Sequence, residues 1–148
     1  MARLNLVAQT DEIATGTDKK TLLQLVAAAN HRVAITEISV SFTGTSTTGT
    51  PIQVEVARQS DAGTMSSLTL LKINADDDET IQTTAQHTAT AEPTETAVLM
   101  RENVHPQSGY TWQAPFGKEL ILNGGDRIGI TAHADASVNA VVRAFIEE

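Results

Sequence analysis

The feature that most constrains this chain is its period. Apolar residues recur at every second position through most of the sequence, and the i, i+3, i+4 spacing of an amphipathic helix is hard to find. The C-terminal run SVNAVVRAFIEE is the clearest instance. Val138, Ala140, Val142, Ala144 and Ile146 fall on one face, and Asn139, Val141, Arg143 and Phe145 on the other. IQVEVAR repeats the pattern, with Ile52, Val54 and Val56 against Gln53 and Glu55. Each reads as a half-buried strand with one wet face.

Other segments obey the same rule. VAITEISVSF begins with Val33 and Ile35 on one face, and then Ile38, Val40 and Phe42 take over. A phase change near Thr36 and Glu37 predicts a bulge, or a bend between two sheets. SSLTLLKIN shifts phase too, from Leu68 and Leu70 to Leu71 and Ile73. ETAVLMREN, KELILN and DRIGITA complete the set. TLLQLVAAAN reads as a short helix or a strand; a strand is preferred because only NHR, a turn-sized gap, separates it from the next one. TGTSTTGTP, RQSDAGTMS, NADDDET, HPQSGY and NGGD have turn composition. Short strands joined by turns, with no helices between them, predict an all-β antiparallel sandwich or barrel. The polar stretch TIQTTAQHTATAEPTET, residues 80–96, reads as a solvated connection between sheets or as an arm that orders on a partner.

At 148 residues the chain is one domain, long enough to fold without staples. It has no cysteine, which removes disulfides, thiolate nucleophiles and cysteine zinc sites together. The net charge of −8 argues against nucleic acid and against an anionic membrane surface, and is compatible with a basic partner. The first residues lack the apolar core of a signal peptide, and no run approaches about 18 apolar residues, so synthesis in a cytoplasm is expected. Rings are scarce: Tyr110, Trp112, Phe42, Phe116 and Phe145 are all there are.

Chemistry-bearing motifs are thin. In NADDDE the acids are consecutive and no glycine interrupts them, unlike the alternating ligands of a calcium loop. His31, His87, His105 and His133 have no metal-ligand spacing. Nothing resembles a nucleophile elbow, a phosphate loop or a dinucleotide fingerprint. The remaining question is KELILNGGDRIGITA. Leu120 and Leu122 alternate before the glycines, and Ile128 and Ile130 after them, so both flanks are strands. A phosphate-binding glycine loop would lead into a helix. Gly124, Gly125 and Asp126 are therefore read as a structural turn, the glycines supplying positive φ and Asp126 accepting from turn amides. No catalytic residue, metal or cofactor is expected, and the chain is not read as an enzyme.

The layout as a whole resembles the small capsid decoration, or cement, proteins of tailed bacteriophages. The resemblance lies in a polar leading segment ARLNLVAQTDEIATGTDKKTL and the strand pair RVAITEISVSF and PIQVEVARQSDAGTMSSLTLLKI. After a Thr-rich crossover comes the closing run VHPQSGYTWQAPFGKELILNGGDRIGITAHADASVNAVVRAFIEE. It implies a jelly-roll-like β-sandwich or barrel of about eight strands over residues 21–148, behind an extended N-terminal arm at residues 1–20. It further implies a homotrimer on the exterior of the virion capsid, bound across subunits of the major capsid protein. On that reading Arg3, Lys19 and Lys20 of the arm pair with acidic groups of the shell, and Leu4, Leu6 and Val7 fill a groove. Val141, Arg143 and Phe145, with Trp112, are the candidates for contact between copies.

Two rivals stand beside it. A phage neck, tail or baseplate subunit can use a similar sandwich. A carbohydrate-binding module would need a ring platform, for which only Tyr110, Trp112 and Phe116 in GYTWQAPF are available.

Overall fold

The period-two segments are strands in the computed structural model, which describes residues 3–43 and 49–148. The centre of the Thr/Gly turn, residues 44–48, lies outside them. The strands in chain order are β1 (Asn5–Gln9), β2 (Ile13–Ala14), β3 (Lys20–Val26), β4 (Val33–Thr43), β5 (Ile52–Gln59), β6 (Thr64–Leu68) and β7 (Leu71–Lys72). They continue with β8 (Thr84–Ala91), β9 (Glu95–Val104), β10 (Tyr110–Gln113), β11 (Leu120–Leu122), β12 (Arg127–His133) and β13 (Asn139–Glu147).

They form a sandwich of two antiparallel sheets. Sheet I runs β10-β4-β13-β1-β7, with β11 also on β4 and β2 also on β13. Sheet II runs β6-β8-β3-β12-β5-β9. The inward residues of β13, Ala140, Val142 and Ala144, are small and fully buried, and this strand comes against β3 of sheet II. Leu6, Ile35, Ile38 and Ile146 of sheet I meet Leu23, Leu25, Ile128 and Ile130 of sheet II in one core.

The phase change in β4 is a bulge. Phe145 pairs with Glu37 but Ile146 pairs with Ile35, which leaves Thr36 as the extra residue. The phase change in SSLTLLKIN has another cause: β6 belongs to sheet II and β7 to sheet I, so the chain changes sheet between them. The first six residues of TLLQLVAAAN belong to strand β3, which begins at Lys20. The stretch at residues 80–96 contains β8, an inner strand of sheet II paired with both β3 and β6.

The N-terminal arm is corrected. Residues 5–9 are β1, seated between β13 and β7, and Leu4 and Leu6 are core residues at 3% and 0% exposure. Ile13 of β2 is buried as well. The alternation of Leu4, Leu6 and Ala8 is that of any half-buried strand, and the second edge of β13 needed a backbone partner. The sandwich therefore begins well before residue 21.

Candidate interaction surface

The two sheets treat their outer faces differently. Sheet II is covered on both faces along its central strands β3, β12 and β5, while its edge strands β9 and β6 are largely exposed. On its outer side Gln24 Nε2 donates to Gln59 Oε1 at 2.7 Å and to the Asp61 carbonyl at 2.9 Å. Gln59 Nε2 donates to Thr21 Oγ1, and Thr21 donates from its amide and hydroxyl to the Glu92 carboxylate. Glu55, with its side chain 4% exposed, accepts from Lys19 and from Arg101, and Lys19 also reaches Glu95. Burial alone would raise the Glu55 pKa, but hydrogen bonds from Lys19 and Arg101 outweigh it and hold the carboxyl below its ordinary value. These polar side chains satisfy one another, and the centre of the face is closed.

The outer face of sheet I is open. Cross-strand register places Phe145 opposite Val7, and Val7 opposite Leu71, so three apolar side chains form one row over β13, β1 and β7. Val141 and Arg143 lie on the same face of β13, with their β4 partners Ser41 and Ser39. Arg143 reaches Glu37 at 3.2 Å and stacks over the Phe145 ring, 5.1 Å from its centroid. Leu71 is 62% exposed, whereas Val7, Val141 and Phe145 are half-buried.

The candidate residues thus scatter. Trp112 pairs with Ile38 and Tyr110 with Val40, both core residues, so the two rings lie on the inner side of sheet I and pack against the core. Trp112 cannot share a surface with Val141, Arg143 and Phe145, which are on the other side. Phe116 stands fully exposed at the turn after β10. The three rings of GYTWQAPF therefore form no common platform. Of the cations assigned to a shell contact, Arg3 pairs with Glu147, Lys19 with Glu55 and Glu95, and Lys20 donates to the Ala14 carbonyl at 2.8 Å. Their first partners are within the chain.

The Gly-Gly-Asp turn joins β11 of sheet I to β12 of sheet II. Gly125 has φ of 84°. Gly124 has an ordinary φ but no room: a Cβ there would fall 2.1 Å from the Ala29 carbonyl oxygen. Asp126 Oδ2 accepts from the Asn123 amide at 3.1 Å and lies 3.7 Å from Arg58. Its carboxylate is used inside the turn.

A shallow cleft of about 300 Å³ is lined by Leu4, His31, Glu79, Thr80, Gln82 and Glu148. Glu148 accepts there from the amides of Gln82 and Thr83 and from the Thr83 hydroxyl. Among the described residues no three His, Cys, Asp or Glu side chains gather as metal ligands. The surface that sequence reading missed is the β7 edge, because Leu71 and Ile73 were assigned to one strand with Leu68 and Leu70. The broken phase between Leu70 and Leu71 was the available signal.

The chain matches no protein-family model and no curated protein. Among solved structures, a chain in the acidic stable capsid structure of Helicobacter pylori bacteriophage KHP30 is similar over 98% of this chain and 88% of its own. The identity is 14% and the TM-score 0.38, and no argument rests on that likeness.

Proposed function

We propose that this chain is a structural protein of a bacteriophage virion, one that decorates and stabilises the capsid from outside by binding as a homotrimer across major capsid subunits. The observation that carries an assembly role is the open outer face of sheet I, where Phe145 and Val7 are paired in register and, among the described residues, no strand of the same chain forms a layer above them. The central strands of the other sheet are closed outside by their own polar groups and inside by the core. A fold that covers one face so thoroughly and leaves an apolar row on the other keeps that face for a second surface. The net charge of −8 keeps the free subunit soluble before it is covered. The decoration role itself comes from the layout described above, and the face around Val141, Arg143 and Phe145 is its site of contact between copies.

Light scattering of the isolated protein should give close to three times 15.7 kDa. A monomer at micromolar concentration removes the preformed trimer. Electron microscopy of the protein mixed with shells of its own phage tests the rest. Ordered protrusions over the shell are the expected result, and density confined to the tail vertex would assign the chain to a neck or tail assembly.

A further inference from the structure

The apolar row of sheet I ends at an edge unlike its centre. β7 is two residues long, and Leu71 stands opposite Val7 on the outer face. The Ile73 amide donates to the Asn5 carbonyl at 2.9 Å, which continues the edge one residue further. Leu71 and Ile73 are 62% and 56% exposed, among the most exposed large apolar side chains of the molecule. The chain then turns at once into Asp76, Asp77, Asp78 and Glu79. Asp77 is tied into that turn: Lys72 Nζ donates to its carbonyl at 2.7 Å and Asn74 Nδ2 to its carboxylate at 2.8 Å. Asp76, Asp78 and Glu79 are exposed, and none of them takes part in an ion pair among the described residues.

We infer that this edge is a docking surface for a protein partner that presents a large apolar side chain flanked by lysine or arginine. Charge complementarity selects the partner. An apolar group laid on Leu71 and Ile73 has beside it the acidic turn that directly follows them in the chain, which attracts cations and repels acids. A two-fold contact with a second copy fits poorly, because it would set one acidic turn against another, and the net charge of −8 disfavours any further copy at this edge. The inference stands apart from the virion reading, since it depends only on this edge and its turn.

Selection of a displayed library of random twelve-residue peptides against the whole protein tests it. The expected peptides combine lysine or arginine with a large apolar residue. Their affinity should fall roughly tenfold or more in the Leu71→Ser, Ile73→Ser variant, as for an interface anchor. A second variant, Asp76→Asn, Asp78→Asn, Glu79→Gln, should bind several-fold more weakly and lose most of the salt dependence. Both sets of positions are exposed, so circular dichroism and the wild-type melting temperature should be retained. Failure to select any peptide, peptides without basic residues, or binding indifferent to both variants would overturn the inference. A change in oligomeric mass on Leu71→Ser, Ile73→Ser would also overturn it, by assigning the edge to a second copy. A monomeric wild type would touch only the trimer.

Discussion

Gln24 and Gln59 hydrogen-bond to each other at 2.7 Å across a strand that lies between theirs, over Gly129. A Cβ on Gly129 would fall 2.4 Å from the Gln59 amide. Glycine at this position in β12 is what lets two glutamines from β3 and β5 meet, and Arg127 adds a 3.1 Å bond to Gln24 Oε1. The outer face of sheet II is closed by this bridge.

Gly129→Ala should therefore cost about 1–3 kcal/mol, because it displaces a buried amide that is bonded at both ends. In a Gln59→Ala background the same change should cost much less, since the clashing group is gone. Urea denaturation of the four-protein cycle measures the coupling, and additive effects would refute the arrangement.

The two glycines of the β11–β12 turn should respond differently. Gly124→Ala meets the Ala29 carbonyl and should destabilise by about 2–3 kcal/mol. Gly125→Ala meets nothing within 4 Å and carries only the cost of a positive φ, about 1 kcal/mol. Thermal melts that rank the two the other way would contradict the turn geometry.

Glu55 couples stability to pH. Its folded pKa lies below the unfolded value of about 4.3, so its contribution is present above that value and is lost as pH falls through the folded pKa. Lys19 is shifted upward: burial lowers it, but the hydrogen bonds it donates to Glu55 and Glu95 outweigh that, so its share persists until strongly alkaline pH. Both cationic partners are more than a third exposed, which screens the pairs. Glu55→Gln should cost about 1–2 kcal/mol at pH 7, less than a fully buried pair would. The gap from wild type should stay constant from pH 6 to 9 and close below pH 4. A gap that widens in acid would reverse the sign argued here.

Thr88 sits in β8 with φ of 57°, a β-branched residue in the left-handed region. It lies where the pairing of β6 with β8 is irregular, and its hydroxyl shares a 2.9 Å hydrogen bond with His87 Nδ1. Thr88→Gly should stabilise by about 0.5–1 kcal/mol, the relieved strain exceeding the lost bond. A lower melting temperature would mean that the hydroxyl matters more than the backbone.

Leu6 separates a strand from an arm. It is fully buried in the core, so Leu6→Ala should cost about 2–5 kcal/mol in denaturant midpoint experiments on the isolated protein. A free arm would leave stability unchanged.

Much of this was already present in local sequence. β8 and β10 were not legible as strands, but alternation marked β4, β5, β9, β11, β12 and β13, the broken phase at Thr36 marked a bulge or bend, and NGGD between alternating flanks marked a turn. Each of these depends on the direction of neighbouring Cβ atoms, which the chain settles within a few residues. The reading of Leu4 and Leu6 as groove-filling residues came from the resemblance; their alternation says only that one face is covered, and does not say by what.

What the sequence by itself determined is the strand character of most of the chain and the parity of its clearly alternating strands, because both are local. The tertiary structure alone decided which sheet each strand joined. It put β6 and β7 in different sheets, seated β1 beside β13, set Trp112 on the opposite side of sheet I from Phe145, and brought Gln24 to Gln59 over Gly129. Pairing across tens of residues is chosen by the cooperative burial of the whole core, and no window of the sequence carries that information.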